Sequence, residues 1–75
     1  MVISAYLMIQ TKMGKAWKVV ETISQLEGVK MAHAVTGLYD VIAYAEFKDH
    51  EELKSIIAEV QEIEGVERTH TAVSL

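Results

Sequence analysis

The sequence predicts an α+β fold of order βαββαβ, with two helices on one face of a four-stranded antiparallel sheet. Three observations carry that reading. First, one pattern is written twice, 37 residues apart: an amphipathic run, then Glu-Gly-Val, then an alternating run centred on a histidine. Ala16, Val19, Val20, Ile23 and Leu26 lead into Glu27-Gly28-Val29 and His33. Leu53, Ile56, Ile57, Val60 and Ile63 lead into Glu64-Gly65-Val66 and His70, each at the same offset. Second, an alternating segment precedes each copy, so the duplicated unit is strand, helix, strand. Third, each helix carries a single apolar stripe, so both must cover the same sheet face.

The elements follow in order. In residues 2–11, Ile3, Ala5, Leu7 and Ile9 fall on one side and Val2, Ser4, Tyr6, Met8 and Gln10 on the other. That period of two marks a strand. Gly14 precedes a helix over residues 15–26, and Gly28 stands where a left-handed glycine closes a helix. Residues 29–36 form the second strand and residues 37–40 a tight turn. Residues 41–48 form the third strand, with Val41, Ala43, Ala45 and Phe47 on one face. Asp49, with Glu52 three residues later, is a capping-box-like start to the second helix. That helix runs to residue 63, give or take a turn, and is closed by Gly65; residues 66–75 form the last strand. The arrangement is ferredoxin-like.

Its second sheet face is left bare. From strands one and three it carries Val2, Tyr6, Met8, Ile42 and Tyr44, too apolar to face water. Burying ~400 Å² of apolar surface per subunit contributes roughly 10 kcal/mol before association costs. A dimeric α/β sandwich, sheet against sheet, is the expected solution.

Composition agrees. Seventy-five residues, 51% of them hydrophobic, are expected to form one domain over residues 1–75 that hides a second apolar surface against a partner subunit. With no cysteine, thiol catalysis, disulfides and Cys-type zinc sites are excluded. No basic leader or long apolar run marks a signal peptide or bilayer span, so a cytoplasmic protein is expected. The net charge is −4, and eight of the eleven acidic residues lie between Glu46 and Glu67. That balance argues against a nucleic-acid surface, which needs clustered Lys and Arg. Lys12, Lys15 and Lys18, the one basic cluster, read as a solvated helix start.

Little in the chain reads as catalysis. His33, His50 and His70 lack the helical spacing of a zinc protease, and equivalent repeat positions imply parallel packing roles rather than shared ligation. Ser4, Ser24, Ser55 and Ser74 lack a glycine-elbow context. The chain is therefore not read as an enzyme, and no metal or cofactor is expected.

Thr36-Gly37-Leu38-Tyr39-Asp40 is more informative. As a hairpin, Gly supplies an unusual φ and Asp caps a backbone N–H. A turn presenting free amides, a carboxylate and a Tyr ring also suits a small zwitterion: Asp40 pairs with an ammonium and the amides with a carboxyl group. Thr69 and Thr71 share one face of the last strand where Val or Ile would be usual. Simple β propensity explains them, and so does a ligand-facing pair of hydroxyls.

Taken together, Thr36-Gly37-Leu38-Tyr39-Asp40, the alternating strand, the acidic amphipathic helix and Gly65-Val66-Glu67-Arg68-Thr69-His70-Thr71 resemble the effector-binding (RAM) domain of Lrp/AsnC transcription regulators. The resemblance covers essentially the whole chain. It implies a βαββαβ module that dimerises through its sheets, assembles further into rings such as octamers, and binds amino acids between dimers. It also implies that Gly37, Leu38, Tyr39 and Asp40 form the ligand-contacting turn and that Thr69 and Thr71 join it. Ser55 and Glu59, one helical turn apart, fall where some members contact the ligand side chain. Regulators of this family carry a helix-turn-helix domain before this module, whereas here the first strand starts at residue 2. The expectation is a stand-alone effector module, without direct nucleic-acid or membrane contact, that senses an amino acid or joins a full-length Lrp/AsnC regulator. Two alternatives stay open: a dimeric αβ-barrel enzyme using His33 or His70 in a cavity between helices and sheet, and a ligand-free structural assembly partner.

Overall fold

The computed structural model describes residues 2–75; Met1, the first residue of the expected domain, lies outside the described residues. The elements are β1 (Ile3–Thr11), α1 (Ala16–Ile23), β2 (Val29–Ala34), β3 (Val41–Phe47), α2 (His50–Gln61) and β4 (Val66–Val73). All strand pairs are antiparallel, in the order β2-β3-β1-β4. Each repeat therefore spans the strand of the other, and the two units interlock rather than stand side by side. This is the ferredoxin-like arrangement.

The alternation on β1 and β3 decides where the core lies. Ala5, Leu7 and Ile9, with Val41, Ala43, Ala45 and Phe47, meet Val19 and Ile23 of α1 and Leu53, Ile56 and Val60 of α2. Leu7 lies opposite Ala43, so a large side chain stands beside a small one and leaves room for the helices to settle. Each buried Leu, Ile or Val contributes roughly 1.5–3 kcal/mol.

Both helices stop short of their apolar stripes. After Ile23 the chain tightens: Leu26 N–H donates to the Ile23 carbonyl at 3.0 Å and Val29 N–H to that of Leu26 at 3.2 Å. The second copy repeats these bonds, Ile63 to Val60 and Val66 to Ile63, each at 3.2 Å. Leu26 and Ile63 thus pack on the core from tight i→i+3 turns, which periodicity reads as helix. At the start of α2, Asp49 Oδ1 accepts the Glu52 N–H at 3.0 Å. Glu52 Oε1 returns the bond to the Lys48 N–H at 2.7 Å, one residue earlier than in a standard capping box.

β2 ends at Ala34, two residues sooner than expected, so the β2–β3 connection spans residues 35–40 rather than 37–40. Val35 N–H donates to the Asp40 carbonyl at 2.9 Å, leaving residues 36–39 as a four-residue loop above that last bond.

The open sheet face reads in rows across the strands. One row is Met31, Tyr44, Tyr6 and Ala72; the next is His33, Ile42, Met8 and His70. The Tyr6 and Tyr44 rings lie 5.2 Å apart, and Tyr6 is 47% exposed. The Tyr44 hydroxyl stands 2.9 Å from Glu46 Oε2 and 3.0 Å from Ser4 Oγ. Its single proton goes to the carboxylate, and the Ser4 hydroxyl donates to the phenol oxygen. No helix among the described residues is long and apolar enough to cross a membrane.

Gly65 adopts φ +99, and a Cβ there would stand 2.9 Å from Lys15 Cβ; Gly37, at φ +108, faces open space. Gly65→Ala is expected to lower stability by more than the ~1–2 kcal/mol of the left-handed backbone alone, and Gly37→Ala by about that amount. The urea midpoints of the two variants check this ordering.

Candidate functional site: a loop braced on the sheet

The β2–β3 loop is held to β1 by bonds that cross from the hairpin to its neighbour. Asp40 N–H donates to the Ile9 carbonyl at 2.9 Å, a backbone bond outside the regular β1–β3 ladder. That ladder ends with Ile9 opposite Val41. There the Asp40 side chain takes over from the backbone: Oδ2 accepts the Thr11 N–H at 2.8 Å. Gln10 Nε2 donates to the Leu38 carbonyl at 3.1 Å. Tyr39 completes the brace, its ring centred 5.6 Å from that of His70 on β4 and inclined by 71°. Gly37 and Leu38 lie on the outer side, with Leu38 75% exposed.

The loop therefore leans over the open-face end of β1 and β4. The sequence places Gln10 on that face but cannot show that it reaches Leu38. Thr11 and His70 were missed as loop partners for the same reason, since each lies far along the chain from the loop.

Thr69 and Thr71 are half-buried and lie opposite Ile9 and Leu7, on the helix side of β4. Thr69 Oγ1 accepts a long bond, 3.5 Å, from Gln61 Nε2 of α2. They share a strand with His70 but face away from the side on which Tyr39 meets it.

Ser55 and Glu59 are exposed on α2 and line a cleft of about 300 Å³ with Gly28, Glu46, Phe47 and Ile56. That cleft sits where β2 begins and β3 ends, whereas the loop joins the opposite ends of the same two strands. Seven residues of β3 separate them, roughly 20 Å. Within one chain the eight expected site residues thus fall into three groups: the braced loop, the threonine pair behind β4, and the α2 cleft.

His33 and His70 stand in one row on the two edge strands, with β3 and β1 between them, about 14 Å apart. They are too far apart to share an ion. Both point to the open face, while Leu7, Ile9, Val19, Ile23 and Val60 fill the space between helices and sheet. The αβ-barrel alternative, which placed one of these histidines in a cavity there, finds no such position.

The comparisons with known proteins add the decisive observation. The model of the Lrp/AsnC ligand binding domain matches residues 4–75. The chain belongs to that family. The HTH-type transcriptional regulator FL11 of Pyrococcus abyssi is 34% identical over 95% of this chain and 47% of its own length. The Lrp/AsnC chain thus spans about half the length of the curated relatives it matches. A Thermus thermophilus protein of known structure superposes with a TM-score of 0.93 at 34% identity, covering 97% of this chain and 92% of its own. A Neisseria meningitidis transcriptional regulator, solved in complex with L-Met, superposes with a TM-score of 0.84 at 17% identity. It covers 97% of this chain and 49% of its own, a likeness of fold alone.

Asp40 has a structural duty whatever it binds. Asp40→Ala leaves the Thr11 amide without its acceptor and is expected to cost about 1.5–3 kcal/mol, the size of a hydrogen bond to a charged group. Asp40→Asn keeps an oxygen there and is expected to cost less than half as much. Chemical denaturation of the two variants checks the difference.

Proposed function

We propose that this Lrp/AsnC module binds a free amino acid at the β2–β3 loop, assembles through its open sheet face, and acts by modulating regulator assemblies. The observation that carries the reading is the braced loop in a chain matched by a ligand-binding-domain model over residues 4–75. Asp40 Oδ2 is occupied by Thr11, which orients the carboxylate and leaves Oδ1 for an ammonium group. Gly37 and Leu38 offer backbone groups on the outer side for a carboxylate. The complex of the Neisseria relative with L-Met shows that one protein of this fold takes an amino acid.

The dispersal of the remaining residues supports a site completed between subunits. Thr69 and Thr71 on the outer strand, and Ser55 and Glu59 on α2, reach a shared ligand only when contributed by neighbouring copies. A second copy seated on the Tyr6, Met8, Ile42 and Tyr44 surface supplies the dimer, and dimers meeting at their loops supply a ring, an octamer in the fullest form. On this reading residues 1–75 act as one unit in the cytoplasm, by binding and assembly rather than catalysis. A full-length Lrp/AsnC regulator is the natural partner.

Two measurements test the reading. Titration calorimetry with each of the twenty amino acids is expected to give heat for at least one, and Asp40→Asn to weaken that binding about tenfold or more. Silence from all twenty returns the loop to a purely structural role and favours the ligand-free assembly partner. Tyr44→Glu places a charge in the centre of the open face and is expected to yield monomer on light scattering. An unchanged oligomer would show that the copies meet elsewhere.

A further inference from the structure

The two histidines of the repeat occupy equivalent positions, lie in the same sheet row and point to the same open face, yet their surroundings differ. His70 carries the Tyr39 ring at 5.6 Å; among the described residues no aromatic ring is paired with His33. The Tyr39 side chain reaches β4, while the other braces, Gln10 and Thr11, both belong to β1. Without the ring contact, the bonds that brace the loop across the sheet all go to β1 among the described residues.

We propose that His70 is a positioning residue: its imidazole clamps Tyr39, and through it the β2–β3 loop, onto the open sheet face. The loop and that face then form one surface. A second copy seated on the face covers the His33, Ile42, Met8 and His70 row and thereby touches the clamp. Loop geometry and assembly are linked through one side chain, and the linkage is reciprocal. The consequences for assembly and for amino-acid uptake rest on the function proposed above; the clamp itself does not.

The groups facing His70 are few. Met8 lies opposite on β1, Tyr39 stands against the ring, and Arg68 precedes it by two residues on the same face of β4, opposite Gln10. α2 packs on the other side of the strand, where Gln61 meets Thr69. Among the described residues, the formal charge that shares this end of the face with His70 is Arg68, together with the Asp40 carboxylate held at the Thr11 amide.

Hydrogen exchange on the full chain reads the clamp without any ligand. The reporters are the Asp40 amide, bonded to the Ile9 carbonyl, and the Thr11 amide, bonded to the Asp40 carboxylate. His70→Ala is expected to speed exchange at both by about two- to tenfold, the size of one aromatic pair. His70→Phe, which keeps a ring, is expected to restore protection. His33→Ala, the repeat-equivalent change in the same row, is expected to leave both amides unchanged. NMR supplies a readout that simple loss of stability would not move. The Tyr39 ring protons, which stand against the imidazole with ring centres 5.6 Å apart, are expected to shift in His70→Ala and to keep their wild-type positions in His33→Ala.

Equal exchange in wild type and His70→Ala would overturn the proposal. So would equal effects of His70→Ala and His33→Ala on the two amides, or Tyr39 ring resonances that are the same in wild type and His70→Ala. Failure of the ligand reading looks different: all twenty amino acids silent in calorimetry, with the His70→Ala effect on the two amides intact.

Discussion

Two helices of eight and twelve residues shield one face of a four-stranded sheet and leave the other to solvent. Almost everything else follows from that coverage. Alternation along β1 and β3 sends Leu7, Ile9, Val41 and Phe47 to the helices, and the same alternation must send Tyr6, Met8, Ile42 and Tyr44 the other way. A one-residue slip would exchange the two sets and cost the core, so the membership of the open face is set as firmly as that of the buried one. The core decides which residues face outward but does not require them to be apolar, so the apolar character of Tyr6, Met8, Ile42 and Tyr44 is a separate feature of the sequence.

The duplicated unit runs deeper than a pattern of residue types. Both copies end their helices in the same i→i+3 bonds and carry Leu26 or Ile63 on the same tight turn. The copies part company where the first continues into the β2–β3 loop. That loop crosses β1 and meets β4, which gives His70 a ring partner in Tyr39. Symmetry in the scaffold and asymmetry in one connection give two chemically identical side chains separate surroundings.

The candidate loop also shows how folding and recognition draw on the same groups. Asp40 substitutes for a backbone carbonyl just past the end of the β1–β3 pairing, so part of its charge-assisted bonding belongs to the hairpin. Its presence in the motif is explained by folding before any ligand is invoked. The variants that separate these duties keep an oxygen at Asp40 or a ring at His70. Truncating either residue perturbs fold and surface together.

The order of elements, the faces of β1 and β3 and the unshielded sheet surface were legible in the sequence because all depend on local periodicity. The capping pair Asp49 and Glu52 and the closing glycines were legible for the same reason. Helix ends were read too long because Leu26 and Ile63 continue the apolar stripe while their backbones tighten into turns. The site was legible only in part. Gly37, Leu38, Tyr39 and Asp40 announced a loop of unusual composition. That Ser55 and Glu59 line a cleft at the far end was decided by the packing of α2 against the start of β2 and the end of β3. That Gln10, Thr11 and His70 brace the loop was decided by the pairing of β1 with β3 and β4. These braces join residues about 30 positions apart, and register between distant strands is set by packing the whole core rather than by any local run of sequence.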